Sequence, residues 1–341
     1  MRARFAAGGD VHLSRPGSSQ TIARVTPPWP FFSSDEFLQV LADVYFPGAE
    51  PGLVACEGQV FRTLVDGHEE VPRFWQFPFY VEPLTNVPPG ATPRTVPMVE
   101  RTVVRELAAE GLEAESGQSA PFIRWSGFAD WEAFGKHVAA PGRNGRWHSM
   151  ERHERRLRRD HGPIEFRTED DDPAALDSLL RWKALFYQLH RLVDRFTDPR
   201  ATTFFHELSR RGLARVSTLR ANGVVVAGAV THRWNRGVHS RLIAHDTSLD
   251  WYSPGSLAVF KLLRDSYDAG DEQYDFLIGR HTYKLGYATH ERALATVGHL
   301  PARQRLMQRL RDVAGPRLAL RRERRAEDLA ASRADVCGAN E

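Results

Sequence analysis

Residues 243–288 read IAHDTSLDWYSPGSLAVFKLLRDSYDAGDEQYDFLIGRHTYKLGYA, and this stretch decides the fold. It predicts the end of a strand, a capped helix, a second strand and a turn. Ser253 suits an N-cap, Pro254 the first helical position, and Gly255 follows. Leu257, Phe260, Leu263 and Tyr267 mark the buried face, and Ala269-Gly270 ends the helix. Tyr274 to Ile278 is a strand of aromatic and branched residues, followed by Gly-Arg-His-Thr-Tyr-Lys. A helix opening on Ser-Pro-Gly-Ser offers free N–H groups, backed by the helix dipole, to an anion. Gly255 lets a ligand approach the backbone closely. Lys284, one of only four lysines in the chain, lies just past the second strand.

Upstream, three strand-like runs follow one another: ARVSTLR, VVVAGAVTHRW and VHSRLIAHD. Asn222-Gly223 joins the first pair and Asn235-Arg236-Gly237 the second, so the three form an antiparallel meander. The strand at 274–278 is reached through a helix and is expected to lie parallel to a neighbour. That change of direction is where ligands enter α/β sheets. Before the meander, Asp172-Pro173 opens a helix over 174–190, and another is expected over 202–210.

The first half is less regular. Ser34 caps a helix over 36–45, and the runs GLVAC and QVFRTLV form a hairpin. Val99, Val103, Leu107 and Leu112 suggest an amphipathic helix over 96–112, and 122–125 reads as a strand. Seven arginines crowd residues 143–159, a solvated connecting helix or a basic wall facing an anionic substrate. Residues 301–325 carry nine arginines, read as a solvated terminal helix or one lying on an anionic surface. The expected divisions are a disordered 1–26, a first domain 27–142, a basic linker helix 143–162, a second domain 163–300 and a basic tail 301–341.

Composition excludes several classes. With 341 residues, 42% hydrophobic and 26% charged, the chain is typical of globular proteins. No apolar run is long enough to span a bilayer, and the N-terminus lacks a signal-peptide core, so a cytoplasmic location is expected. Two distant cysteines make neither a disulfide framework nor a zinc site, and the 14 histidines show no ligand spacing; no metal is expected. A net charge of +3 does not announce a nucleic-acid binder.

The order meander, helix, strand, with Y-S-P-G-S-L, then Y-D-F-L-I-G, then Y-K, resembles the GNAT acyltransferases, in particular the CelD/BcsL branch related to the Fem aminoacyltransferases. The likeness runs from about residue 152 to 299 and includes the Trp182 helix and Phe204-Phe205-His206-Glu207-Leu208. More faintly, PFFSSDEFL and FPFYVEPL are similar to the family's first half. The resemblance implies an α/β fold with a mixed sheet: a tandem GNAT-like arrangement, with a degenerate N-terminal copy and a catalytic C-terminal copy. It implies an N-acyltransferase in which an amine attacks an acyl-CoA or acyl carrier protein thioester within a ternary complex. The alternatives are a Fem-like transferase using aminoacyl-tRNA and a non-catalytic binding protein. No permanently bound cofactor is implied; acyl-CoA is a co-substrate.

The resemblance also places the donor. Backbone N–H groups of the strand Leu242-Ile243-Ala244-His245-Asp246 would polarise the thioester carbonyl. The helix from Ser253 would hold the coenzyme A pyrophosphate on the N–H groups of Gly255, Ser256 and Leu257. Tyr283 is a candidate to protonate the leaving thiolate, and Lys284 to stabilise the oxyanion or bind a phosphate; otherwise Tyr283 packs under the sheet and Lys284 is solvated. Asp246 and Asp275 match acidic positions of the family, or else brace loops. Gly279-Arg280-His281-Thr282 departs from the family pattern, which often carries an acid there. His281 would serve as a base, or Arg280 would bind an anionic acceptor.

Overall fold

In the computed structural model the structure describes residues 12–15, 18–21, 31–56, 59–66, 69–70, 96–100, 114–141 and 147–297. The expected tail helix, most of the 96–112 segment and the aromatic run at 73–84 lie outside these residues. The elements run β1 (His12–Arg15), β2 (Ser18–Thr21), α1 (Asp35–Tyr45), β3 (Glu50–Cys56), β4 (Gln59–Asp66), β5 (Glu69–Glu70), β6 (Val96–Glu100), β7 (Ala114–Arg124) and α2 (Trp131–Ala139). They continue with α3 (Trp147–His161), β8 (Ile164–Arg167), α4 (Pro173–Leu189), α5 (Arg200–Arg210), β9 (Arg215–Ala221), β10 (Val224–Trp234) and β11 (Gly237–His245). The last are α6 (Pro254–Asp268), β12 (Gln273–Asp275), α7 (Thr282–Tyr287) and β13 (His290–Val297).

The helices start where their chemistry directs. The Ser34 hydroxyl accepts the Phe37 N–H at 3.2 Å, and the Asp172 carboxylate accepts the Ala174 N–H at 2.9 Å with Pro173 just behind. The meander forms as expected, β9, β10 and β11 pairing antiparallel in sequence. The polar N-terminal segment, expected to be disordered, contains the short antiparallel pair β1–β2. Val96–Glu100, expected as part of a helix, is the strand β6. It is the last strand of its sheet, and an edge position tolerates Pro97.

One mixed eight-stranded sheet organises the molecule, in the order β6-β13-β7-β12-β11-β10-β9-β8. Strand β12 runs parallel to β11, as the crossover through α6 requires. Strand β7, from the first half of the chain, lies between β12 and β13, antiparallel to both. The sheet thus draws strands from both sides of the basic linker.

Two helical layers cover the sheet. On one face α1, α4 and α5 bury Phe37, Leu41, Leu176, Leu179, Phe204 and Phe205 against Val216, Val230, Leu242 and Ala244. On the other, α2, α3 and α6 enclose Trp131, Phe134, Leu157, Val259 and Leu263 with Ile123, Ala229 and Tyr274. Each fully buried side chain of this size contributes on the order of 1.5–3 kcal/mol. Helix α3 is therefore more than a solvated connector: Met150 and Leu157 are buried, while its arginines stay outside.

Candidate active site

The site begins with a gap in the sheet. Strands β11 and β12 pair only from Gly237–Gln273 to His239–Asp275. β11 continues to His245 along β10, whereas β12 stops and its chain turns away, with Leu277 in the left-handed region at φ 58°. The last residues of β11 therefore face an opening on one side. The Asp246 N–H donates to the Val226 carbonyl at 3.0 Å. Backbone groups of an antiparallel strand alternate sides, so the N–H groups of Ala244 and Asp246 point to β10. Those of Ile243 and His245 point into the gap. Of the strand expected to polarise a carbonyl, Ile243 and His245 are so placed, and Ala244 and Asp246 are not, because their N–H groups are taken by β10.

Helix α6 starts beside this opening. Ser253 occupies the N-cap position, but its φ of 51° is left-handed and its side chain makes no cap bond. Its N–H donates to the Asp250 carbonyl at 2.9 Å, so the preceding turn, Thr247–Tyr252, runs straight into the helix. The Leu257 N–H, expected to face an anion, donates to the Ser253 carbonyl at 3.1 Å, and the Leu257 side chain is buried. Pro254 has no N–H. The first turn therefore presents the N–H groups of Gly255 and Ser256. A Cβ on Gly255 would lie 2.8 Å from His245 Nδ1, so the bare glycine makes room for the ring. His245 Nε2 meets an Asp250 carboxylate oxygen at 2.7 Å, which fixes that ring between the end of β11 and the head of α6. Asp246 is a brace: one of its oxygens accepts both the N–H and the hydroxyl of Ser248.

Below the gap, the loop after β12 is held by Lys284. Only 7% of Lys284 is exposed. Its ammonium donates to the carbonyls of Phe276 at 2.8 Å, Ile278 at 2.9 Å and Leu277 at 3.4 Å. Three donors meet three consecutive acceptors, an arrangement neither of the expected roles included. Burial pushes its pKa down to about 8, with Lys183 adding to the fall and Asp275 opposing it. Asp275, 2% exposed, is the second brace: it accepts the Leu277 N–H at 2.7 Å and pairs with Arg292. Arg280 pairs with Glu291 at 3.1 Å.

His281 and Tyr283 precede Lys284 at the start of α7, His281 in the N-cap position. Their rings lie parallel, centroids 6.2 Å apart, and Tyr283 meets Phe276 edge-on. Tyr283 keeps 40% of its surface open, yet the crowding around it raises its hydroxyl well above the usual phenol value. Desolvation, with Lys284 and Lys183 nearby, lowers His281 to about 4, so its imidazole is neutral at neutral pH.

Two cations absent from the sequence-based set complete the surroundings. Strands β10 and β11 shift register between Val230 and Thr231, leaving Arg241 as an extra residue on β11. Lys183 lies on α4, 4.7 Å from the Phe186 ring centre. The signals were present: Lys183 is another of the four lysines, and Arg241 interrupts an apolar strand. Among the described residues no group of three or more His, Cys, Asp or Glu could hold a metal ion, and no helix is long and apolar enough to cross a membrane.

Residues 144–285 match the family model described as Acetyltransferase (GNAT) domain. No curated protein sequence matches the chain. Among solved structures, FemX is 10% identical over 88% of each chain, with a TM-score of 0.46. L-PGS from Bacillus licheniformis is 10% identical over 67% of this chain and 73% of that one, at 0.43. A GCN5-related N-acetyltransferase from Kribbella flavida is 12% identical over 78% and 95%, at 0.37. The stretch carrying the gap and α6 thus matches a GNAT domain model, and it lies on a mixed α/β sheet.

Proposed function

We propose that this protein is an N-acyltransferase that moves an acyl group from a coenzyme A thioester to an amine. The observation that carries the reading is the gap between β11 and β12 beside the free first turn of α6. A thioester lying in the gap meets the outward N–H groups of Ile243 and His245. Its phosphates reach Gly255 and Ser256, where the helix dipole favours negative charge. The amine nitrogen attacks the carbonyl carbon, a C–N bond forms, and the negative charge building on oxygen is held by those N–H groups. The C–S bond then breaks; the nitrogen's surplus proton passes to solvent water, the Tyr283 hydroxyl, protonated at neutral pH, gives its proton to the thiolate, and Tyr283 is reprotonated from that water. Lys284 acts at one remove: it fixes the loop that forms the lower wall.

Two observations bear on finer points. The faint likeness of the first half to the family, in PFFSSDEFL and FPFYVEPL, supports a tandem arrangement of CelD/BcsL type with a degenerate N-terminal copy. The arginines of α3 spend much of their charge at home: Arg155 pairs with Glu151, Arg158 with Glu154 and Arg159 with Asp160. That weighs against a tRNA-borne donor and favours a free coenzyme A thioester. Thermal shift with coenzyme A, then thiol release from an acyl-CoA panel with candidate amines, tests the proposal. A concentration-dependent rise in melting temperature and amine-dependent thiol release are expected. No shift and no thiol release above background would overturn it.

A further inference from the structure

The exposed large hydrophobic side chains are not scattered over the surface. Among the described residues there are seven, and four of them fall within nine positions: Leu185 at 39%, Leu189 at 62%, Leu192 at 48% and Val193 at 85% exposed. Apolar residues met singly on a surface need no explanation, whereas a cluster marks a place where something binds.

The local structure gathers them. Leu185 and Leu189 lie one helical turn apart at the end of α4, so they share a face, and Arg181 continues that line one turn earlier, also exposed. Helix α4 then closes in a Schellman turn. The Arg191 N–H donates to the Gln188 carbonyl at 3.0 Å, and the Leu192 N–H to the Tyr187 carbonyl at 2.8 Å. Arg191 takes the left-handed position that glycine usually fills, at φ 53°. The bond back to Tyr187 keeps Leu192 and Val193 against the end of the helix. The rings of this segment are occupied within the fold: Phe186 stacks on His190 at 4.1 Å and Tyr187 on Phe196 at 6.1 Å. The aliphatic side chains are what the segment turns outward.

Charge narrows the choice of partner. Residues 181–195 carry Arg181, Lys183, Arg191 and Arg195 against one acid, Asp194. Asp194 is half-buried and turned inward: its carboxylate accepts the Gln188 amide at 3.0 Å and the Phe196 N–H at 2.9 Å. Arg181 and Arg191 are exposed and, among the described residues, take part in no ion pair. A two-fold contact between copies of the chain would set this patch against itself and bring its arginines together with no acid to answer them. A surface that is apolar below and anionic above has no such conflict.

We propose that the face from Leu185 to Val193 docks on an anionic lipid bilayer, the four aliphatic side chains entering the headgroup boundary while Arg181 and Arg191 meet lipid phosphates. The long arginine stems suit that depth, since they lie along apolar surface and keep their charge in the polar layer. A patch this small holds the protein peripherally and reversibly. The assignment is independent of the acyltransferase reading.

Sedimentation of the full-length protein with vesicles tests it. One set is phosphatidylcholine alone, the other phosphatidylcholine with about one quarter phosphatidylglycerol. Binding to the anionic set at low salt, and none to the neutral set, is expected. Leu189→Ser with Val193→Ser is expected to weaken that binding at least tenfold. Arg181→Gln with Arg191→Asn, which keeps a residue suited to the left-handed turn, is expected to weaken it at least threefold. All four side chains are exposed, so both variants should melt with the wild type. The basic segment 301–325 is present in every protein compared and so cannot account for a difference between them. No binding to anionic vesicles would overturn the proposal, as would equal capture by phosphatidylcholine alone. Equal binding of wild type and the serine variant would overturn it too, assigning the vesicles to another basic segment. With vesicle binding unchanged, a wild-type dimer that the serine variant breaks would give the face to a second copy. A lower melting temperature of that variant, again with binding unchanged, would give it to another segment of the same chain.

Discussion

Lys284 shows how a residue's scarcity signals importance without giving its task. The rarity of lysine marked it, and the sequence offered chemistry or solvation as its role. Neither reading includes three backbone carbonyls, because the turn that gathers them exists only after the loop folds over Asp275. Lys284→Met keeps the apolar stem and removes the donors. Buried acceptors then lose their partners, so urea unfolding should show a loss of about 2–4 kcal/mol. A variant as stable as the parent with reduced turnover would instead place the ammonium in the chemistry.

His232 makes a second prediction at this scale. It is fully buried, stacked on Phe31 with centroids 4.2 Å apart, and its Nδ1 meets the Leu213 carbonyl at 2.7 Å. Its Nε2 is buried without a partner, so a second ring proton would have nowhere to bond. Burial lowers its pKa to about 3. Between pH 6.5 and 3 the unfolded chain takes up a proton that the folded one refuses, so stability falls as pH drops. Urea melts at pH 7, 6, 5 and 4 should show the gap between wild type and His232→Phe shrinking as acid is added, by up to about 1.4 kcal/mol per pH unit. A constant gap would show that the imidazole ionises freely in place.

Among the elements, those set by local rules were legible. Caps at Ser34 and Asp172, the Asn-Gly turn and the apolar spacing of α6 placed their helices and strands within a few residues. Elements set by distant partners were not. Val96, Val99 and Val103 mimic a helical stripe, yet 96–100 pairs with β13, a strand almost two hundred residues away. The free N–H groups that open α6 were legible because one helix carries them. Strand β7 supplies a prediction here. Without it, β12 and β13 each lose a hydrogen-bonding neighbour, and Ile123 leaves the core. A fragment of residues 143–341 should give a collapsed amide spectrum and sharpen when residues 1–142 are co-expressed. A well-dispersed spectrum from the fragment alone would show that β7 is dispensable.

At the scale of the whole molecule, the sheet is a composite of early and late chain. The Ser119 hydroxyl bonds to Glu291, 172 positions on, and β7 is enclosed between strands that leave the ribosome long after it. At about 5–20 residues per second, the nascent chain would carry β7 without either neighbour for roughly 8 to 30 seconds. Contacts of such sequence separation form slowly, because a long loop must close before they contribute. The strand that joins the two halves of the chain is thus also a clock. Synthesis must pass Val297 before the sheet can close, and a ribosome stalled short of that point would leave both edges of β7 open to other chains.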